Sequence, residues 1–231
     1  MLSETPSLLS PEQIRVQEKL AIFLAFIAGY IDATGLIQWK TYVSFMSGNT
    51  TQLGAAFFSH KFGIIITSIT VIAGFLTGIY AGTCLSLWKK CRIKTITFYI
   101  VSGILILYTA IHYYYPITNI FSIAVIGFSM GLMNTIITTV GDQKVNTDFV
   151  TGTLNSLARN TAMLSMTEDK AEKKKYRSNA IHLLLVWIGF LSGAAVAPFL
   201  LDALKNLTLL LPAVLLLTCS RLITNITTTK H

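Results

Sequence analysis

Residues 20–37 read LAIFLAFIAGYIDATGLI, and Asp32 is the only charged residue among them. An α-helix rises about 1.5 Å per residue, so about 20 apolar residues cross the ~30 Å hydrocarbon core of a bilayer. This run is such a span. Working outward, five further runs qualify: Ile64–Trp88, Ile93–Tyr115, Ile120–Val140, Ile181–Leu201 and Leu207–Ile223. They are continuous rather than alternating, which points to helices and excludes a β-barrel. Composition agrees. Of 231 residues, 53% are hydrophobic and 12% charged, with a mean hydropathy of +0.63, whereas soluble domains carry about 25% charged residues. An ordinary soluble domain and a disordered chain are excluded. With three cysteines, so is a disulfide scaffold.

The formal net charge of +8 raises nucleic acid as a partner. The basic residues instead cluster in short segments beside the spans, so nucleic-acid binding is not expected and a lipid bilayer is. With the N-terminus placed inside, fifteen of the eighteen Lys and Arg fall on the inner side, and only Lys40, Lys61 and Lys205 fall outside. The positive-inside rule then predicts cytoplasmic N- and C-termini. Tyr113, Tyr114 and Tyr115 ahead of Pro116 suit an outer aromatic belt. Residues 1–18 form an N-terminal segment with a short amphipathic helix, started at Ser10-Pro11-Glu12-Gln13 by capping Ser10. No cleaved signal peptide is expected there. Cys84, Cys91 and Cys219 show no metal-binding spacing, so no metal site is expected.

Three sequence blocks recur in order. Gly29-Tyr30-Ile31-Asp32-Ala33 matches Gly131-Leu132-Met133-Asn134-Thr135; Phe45-Met46-Ser47-Gly48-Asn49-Thr50 matches Phe149-Val150-Thr151-Gly152-Thr153-Leu154; Gly74-Phe75-Leu76-Thr77-Gly78 matches Gly189-Phe190-Leu191-Ser192-Gly193. The offsets are 102, 104 and 115 residues, the last widened by a basic loop, Glu168–Arg177, inserted in the second copy. The spacing predicts one membrane domain made of repeat one, 19–115, and repeat two, 116–226. Each copy holds three spans. An odd number turns the second copy upside down, as in many transporters.

Between spans one and two, and again after span four, the chain is too apolar for a simple loop. Each segment is predicted to enter the membrane and turn back, with half-helices over 49–59 and 152–166. Ser47 or Asn49, and Thr151 or Thr153, are suitable N-caps, and Gly48 and Gly152 permit a close approach. The expected fold class is therefore all-α polytopic membrane protein, with six transmembrane helices, two re-entrant half-helices and an inverted 3+3 internal repeat. Two alternatives stay open: the polar motifs merely cap interfacial helices, or the segments cross fully and give eight spans.

The N-terminus of a half-helix exposes unpaired N–H groups and partial positive charge. Two such ends converging near the midplane would bind an anionic or carbonyl-bearing solute or repel cations. The candidate substrate-binding residues are Asp32, Ser47, Gly48, Asn49, Thr50, Asn134, Thr151, Gly152 and Thr153. An intramembrane carboxylate costs at least ~2.5 kcal/mol on insertion scales, so Asp32 needs a partner. Either it couples a proton or cation or binds substrate, or it accepts hydrogen bonds from the half-helix threonines or Asn49 and holds that segment in place. Gly74, Gly78, Gly82, Gly189 and Gly193 recur at helical spacing as a packing seam, between halves or in a possible homodimer. His112 and His182 read as interface histidines, and Arg159 as a snorkelling side chain. Asp142, Lys144 and Asp148 read as a solvated loop or a cytoplasmic gate. Lys173–Arg177 reads as an anchor on anionic lipid. No catalytic signature is present, so neither an enzyme nor a cofactor is expected.

Gly29–Ala33 together with Phe45-Met46-Ser47-Gly48-Asn49-Thr50-Thr51-Gln52-Leu53-Gly54 resembles the opening signature of the YoaK-type family of uncharacterised bacterial inner-membrane proteins, which usually has threonine at the Ser47 position. Gly131–Asn134 and Thr151–Leu154 resemble its later motif. The resemblance implies a bacterial cytoplasmic membrane location and no particular activity. The functional expectation is a small-solute transporter or channel; the alternative is a non-transporting membrane scaffold or assembly factor.

Overall fold

The computed structural model describes residues 11–88, 93–136, 139–140, 143–144 and 150–228. Among the described residues, eight α-helices follow one another: α1 Pro11–Trp39, α2 Met46–Phe58, α3 Phe62–Trp88, α4 Ile93–Tyr114, α5 Asn119–Asn134, α6 Val150–Met166, α7 Lys170–Leu204 and α8 Leu210–Thr228. One two-residue antiparallel ladder pairs Thr139–Val140 with Gln143–Lys144. Four helical stretches are long and apolar enough to cross a membrane: Ile14–Trp39, Phe62–Leu87, Ile96–Tyr114 and Lys170–Leu207. Large apolar side chains such as Leu76, Tyr80, Leu107 and Phe199 point outward from them. All of this is compatible with a polytopic membrane protein.

Three expectations need correction. Span four was expected over Ile120–Val140, but α5 ends at Asn134 and its last residues become a turn. The helix is sixteen residues long, or about 24 Å. The expected inserted loop Glu168–Arg177 is mostly helix. Asp169 caps α7 by accepting the Ala171 N–H at 3.0 Å, so the basic run forms the first turns of α7. From Pro11 onward the expected amphipathic segment is continuous with span one in α1 rather than a separate helix. Ser10, Asp142 and Asp148 lie outside the described residues.

The main packing pairs are α1 with α7, α3 with α5, α6 with α7, α4 with α8 and α2 with α3. Glycine determines the two closest pairs. A Cβ on Gly193 would lie closer than 3.0 Å to the Phe26 carbonyl oxygen and 3.0 Å from the Tyr30 nitrogen; one on Gly189 would lie 2.9 Å from the Ile22 oxygen. Ascending residues of α1 thus meet ascending residues of α7, and the two helices run parallel. The α3–α5 seam is built alike. A Cβ on Gly78 would crowd the Phe128 oxygen and lie 3.0 Å from the Leu132 nitrogen, and one on Gly74 would lie 2.8 Å from the Ala124 oxygen. Ile22, Phe26 and Tyr30 correspond to Ala124, Phe128 and Leu132 at the 102-residue offset of the first block. The facing glycines match in the same way: Gly29 abuts the Phe190 carbonyl, and Gly131 abuts that of Phe75. Gly82 faces the side chain of Thr135, the C-cap of α5. Such backbone-to-backbone approach is the packing available to helices that gain nothing by hiding apolar surface from lipid.

Candidate functional site

The site is set by how the chain leaves α1. Lys40 adopts φ 56°, a left-handed conformation that reverses the chain at the helix C-terminus. The following residues then run back along α1 instead of away from it. A Cβ on Gly35 would lie 3.0 Å from the Thr41 oxygen and 2.9 Å from a Val43 methyl, so glycine makes room for the returning strand. The return ends at Asp32, whose Oδ1 accepts the Val43 N–H at 2.8 Å and the Ser44 N–H at 2.9 Å. Asp32 lies seven residues before Trp39, or about 10 Å back along the helix axis. The chain entering α2 is therefore about two turns below the end of α1.

Asn49 secures the same strand from the other side. Its Nδ2 donates to the Tyr42 carbonyl at 2.8 Å, and its Oδ1 accepts from the Thr41 hydroxyl at 3.1 Å. Asp32 is 5% exposed and Asn49 0%. Non-helical backbone cut off from water must find partners inside the protein, and these two side chains provide them. Asp32 thus bonds backbone N–H groups, not the half-helix threonines or Asn49.

The two short helices α2 and α6 begin earlier than the expected half-helices. The first starts at Met46 with Phe45 at the N-cap and no side-chain cap, so neither Ser47 nor Asn49 caps it. The second starts at Val150. Gly48 lies in the first turn of α2, where a Cβ would lie closer than 3.0 Å to the Phe45 ring. That ring packs edge-on to Tyr42 at 5.3 Å. Ser47 and Thr50 are exposed, and the Thr50 hydroxyl donates to the Met46 carbonyl at 2.8 Å. In the second set of sequence blocks, Asn134 is the last residue of α5, with its Oδ1 buried and unpaired among the described residues. Thr151, Gly152 and Thr153 form the start of α6, with Thr153 buried. α2 packs on α3 and α6 on α7, so Asp32 and Asn49 share one cluster, while Thr151, Gly152 and Thr153 sit on a separate helix pair.

Among the described residues, no group of three or more His, Cys, Asp or Glu could hold a metal ion. Arg159 is exposed. His112 stacks on Tyr108 at 5.6 Å. Two features were missed in the sequence. Val43 and Ser44 act through backbone N–H groups, which carry no residue signature. Tyr30 is fully buried and donates through its hydroxyl to the Thr208 carbonyl at 3.0 Å; its place beside Gly29 in the first repeat block was the available signal.

A family model described as "Protein of unknown function (DUF1275)" matches residues 20–222. This chain belongs to the DUF1275 family. The match runs from within α1 through most of α8 and is consistent with the YoaK-type resemblance. No curated protein and no solved structure matches the chain. Membership in DUF1275 places the glycine seams and the Asp32 cluster inside the family domain.

Proposed function

We propose that this DUF1275 protein is a small-solute transporter or channel of a bacterial inner membrane, built from two inverted three-span repeats with both termini cytoplasmic. The observation that carries the proposal is the strand 41–45, which returns about 10 Å along α1 to Asp32 before α2 begins. Transporters place irregular backbone at depth where it lines a solute path. α2 has thirteen residues, about 20 Å, too short to cross ~30 Å of hydrocarbon, which supports re-entrance of this segment. The residue-for-residue match between the α1–α7 and α3–α5 seams supports the inverted repeat.

In this proposal Asp32 and Asn49 fix the strand. The solute meets Ser47, Gly48 and Thr50 from one half and Asn134, Thr151, Gly152 and Thr153 from the other, with the free Asn134 Oδ1 as an acceptor. A non-transporting scaffold is the second reading, favoured by the internal hydrogen bonds that occupy Asn49 and Asp32 Oδ1. Flux of a broad solute panel in proteoliposomes separates the two. Flux of at least one solute that falls several-fold in Asn134→Ala and in Ser47→Ala supports transport. Identical leak in wild type, both variants and empty vesicles removes it.

A further inference from the structure

The parallel register of α1 and α7 has a second product. Two turns before the Ile22–Gly189 contact, the same helices bring Arg15 and His182 to one cavity of about 250 Å³, lined also by Lys19, Glu18, Ile181 and Leu185. His182 is 7% exposed, and its Nε2 is buried without a hydrogen-bond partner among the described residues. With almost no accessible surface on Nε2, the His182 ring walls the cavity and leaves the polar contacts to Arg15 and Lys19. Arg15 and Lys19 supply two cations and Glu18 one carboxylate, leaving a single positive charge in the cavity wall. Ile181 and Leu185 are 49% and 44% exposed and extend an apolar strip from the cavity along α7. The equivalent positions are Ile117, just before α5, and Thr67 on α3, so the charged cavity belongs to one seam only.

We propose that this cavity binds a phosphate group, carried by a phospholipid whose acyl chain lies along Ile181 and Leu185. One net positive charge matches a phosphodiester monoanion. Arg15 provides the planar fork that suits phosphate oxygens, with Lys19 beside it as a point charge. This site is independent of the proposed solute path.

The test is native mass spectrometry of the full chain in detergent, titrated with phosphatidylglycerol, phosphatidylethanolamine or inorganic phosphate. Wild type is compared with Arg15→Gln/Lys19→Gln and with a control, Lys173→Gln/Lys174→Gln, all four positions being exposed. The proposal expects at least one phospholipid to bind wild type and the control alike and the Arg15/Lys19 variant at least fivefold more weakly. Inorganic phosphate that fails to displace the lipid identifies the lipid as the source; full displacement at millimolar concentration identifies the free anion. Equal lipid and phosphate binding by wild type and the Arg15/Lys19 variant, or an equal loss in the Lys173/Lys174 control, overturns the site.

Discussion

The carbonyl oxygen of Phe190 occupies the space where a side chain on Gly29 would begin. The same holds for Gly131 and Phe75, and for Gly193 and Gly78 against Phe26 and Phe128. Alanine at Gly29, Gly131, Gly193 or Gly78 must therefore push two helix backbones apart. Each should cost about 1–3 kcal/mol, the usual range for overpacking. Gly54 and Gly103 have no atom within 4 Å of a Cβ, so alanine there should be neutral or gain up to ~1 kcal/mol from helix propensity. Thermal stability in detergent, followed by size-exclusion chromatography after heating, separates the two groups. Equal melting of Gly29→Ala and Gly103→Ala would contradict the seam.

Asp32 separates an acceptor role from a charge role. Asp32→Asn keeps an oxygen that can accept the Val43 and Ser44 N–H groups, so it should cost only about 1 kcal/mol. Asp32→Ala strands two buried donors, each worth ~1–3 kcal/mol when unpaired. Its melting temperature should fall well below that of Asp32→Asn. If Asp32→Asn melts as low as Asp32→Ala, the charge rather than the acceptor oxygen holds the strand.

Asn49→Ala releases the Tyr42 carbonyl and the Thr41 hydroxyl together. A cysteine at position 43, buried in the native fold, should then react with a membrane-permeant maleimide at least several-fold faster than in the Asn49 parent. Thr41→Val removes only one bond and should give a smaller increase. Unchanged labelling in Asn49→Ala would mean that Asp32 alone suffices.

Much of the helical scaffold is legible in residues such as Leu20–Ile37, because a continuous apolar run and a ~30 Å hydrocarbon thickness leave few solutions. The recurring Gly74/Gly78 and Gly189/Gly193 pairs also point to close packing, although which helix each faces depends on tertiary register. The exit from α1 is not legible. Lys40 is a non-glycine residue at positive φ, and lysine carries no signal for a left-handed turn. The α2 start was misplaced because Phe45 stands where a polar cap is usual; the Phe45 ring packed over Gly48 takes the position instead. The end of α5 was misplaced because Ile136 is apolar although the helix has already ended at Asn134, and hydropathy does not distinguish helix from turn.

The most direct test is the depth of α2's first turn. A spin label at Ser47→Cys, which is exposed, is compared in liposomes with one at Gln38→Cys near the end of α1, the three native cysteines being replaced. Accessibility to oxygen against a polar nickel chelate gives the depth of each. The account predicts that position 47 lies about 10 Å deeper than position 38, the distance that the return to Asp32 sets. Equal depths, with both labels open to the polar chelate, would contradict it.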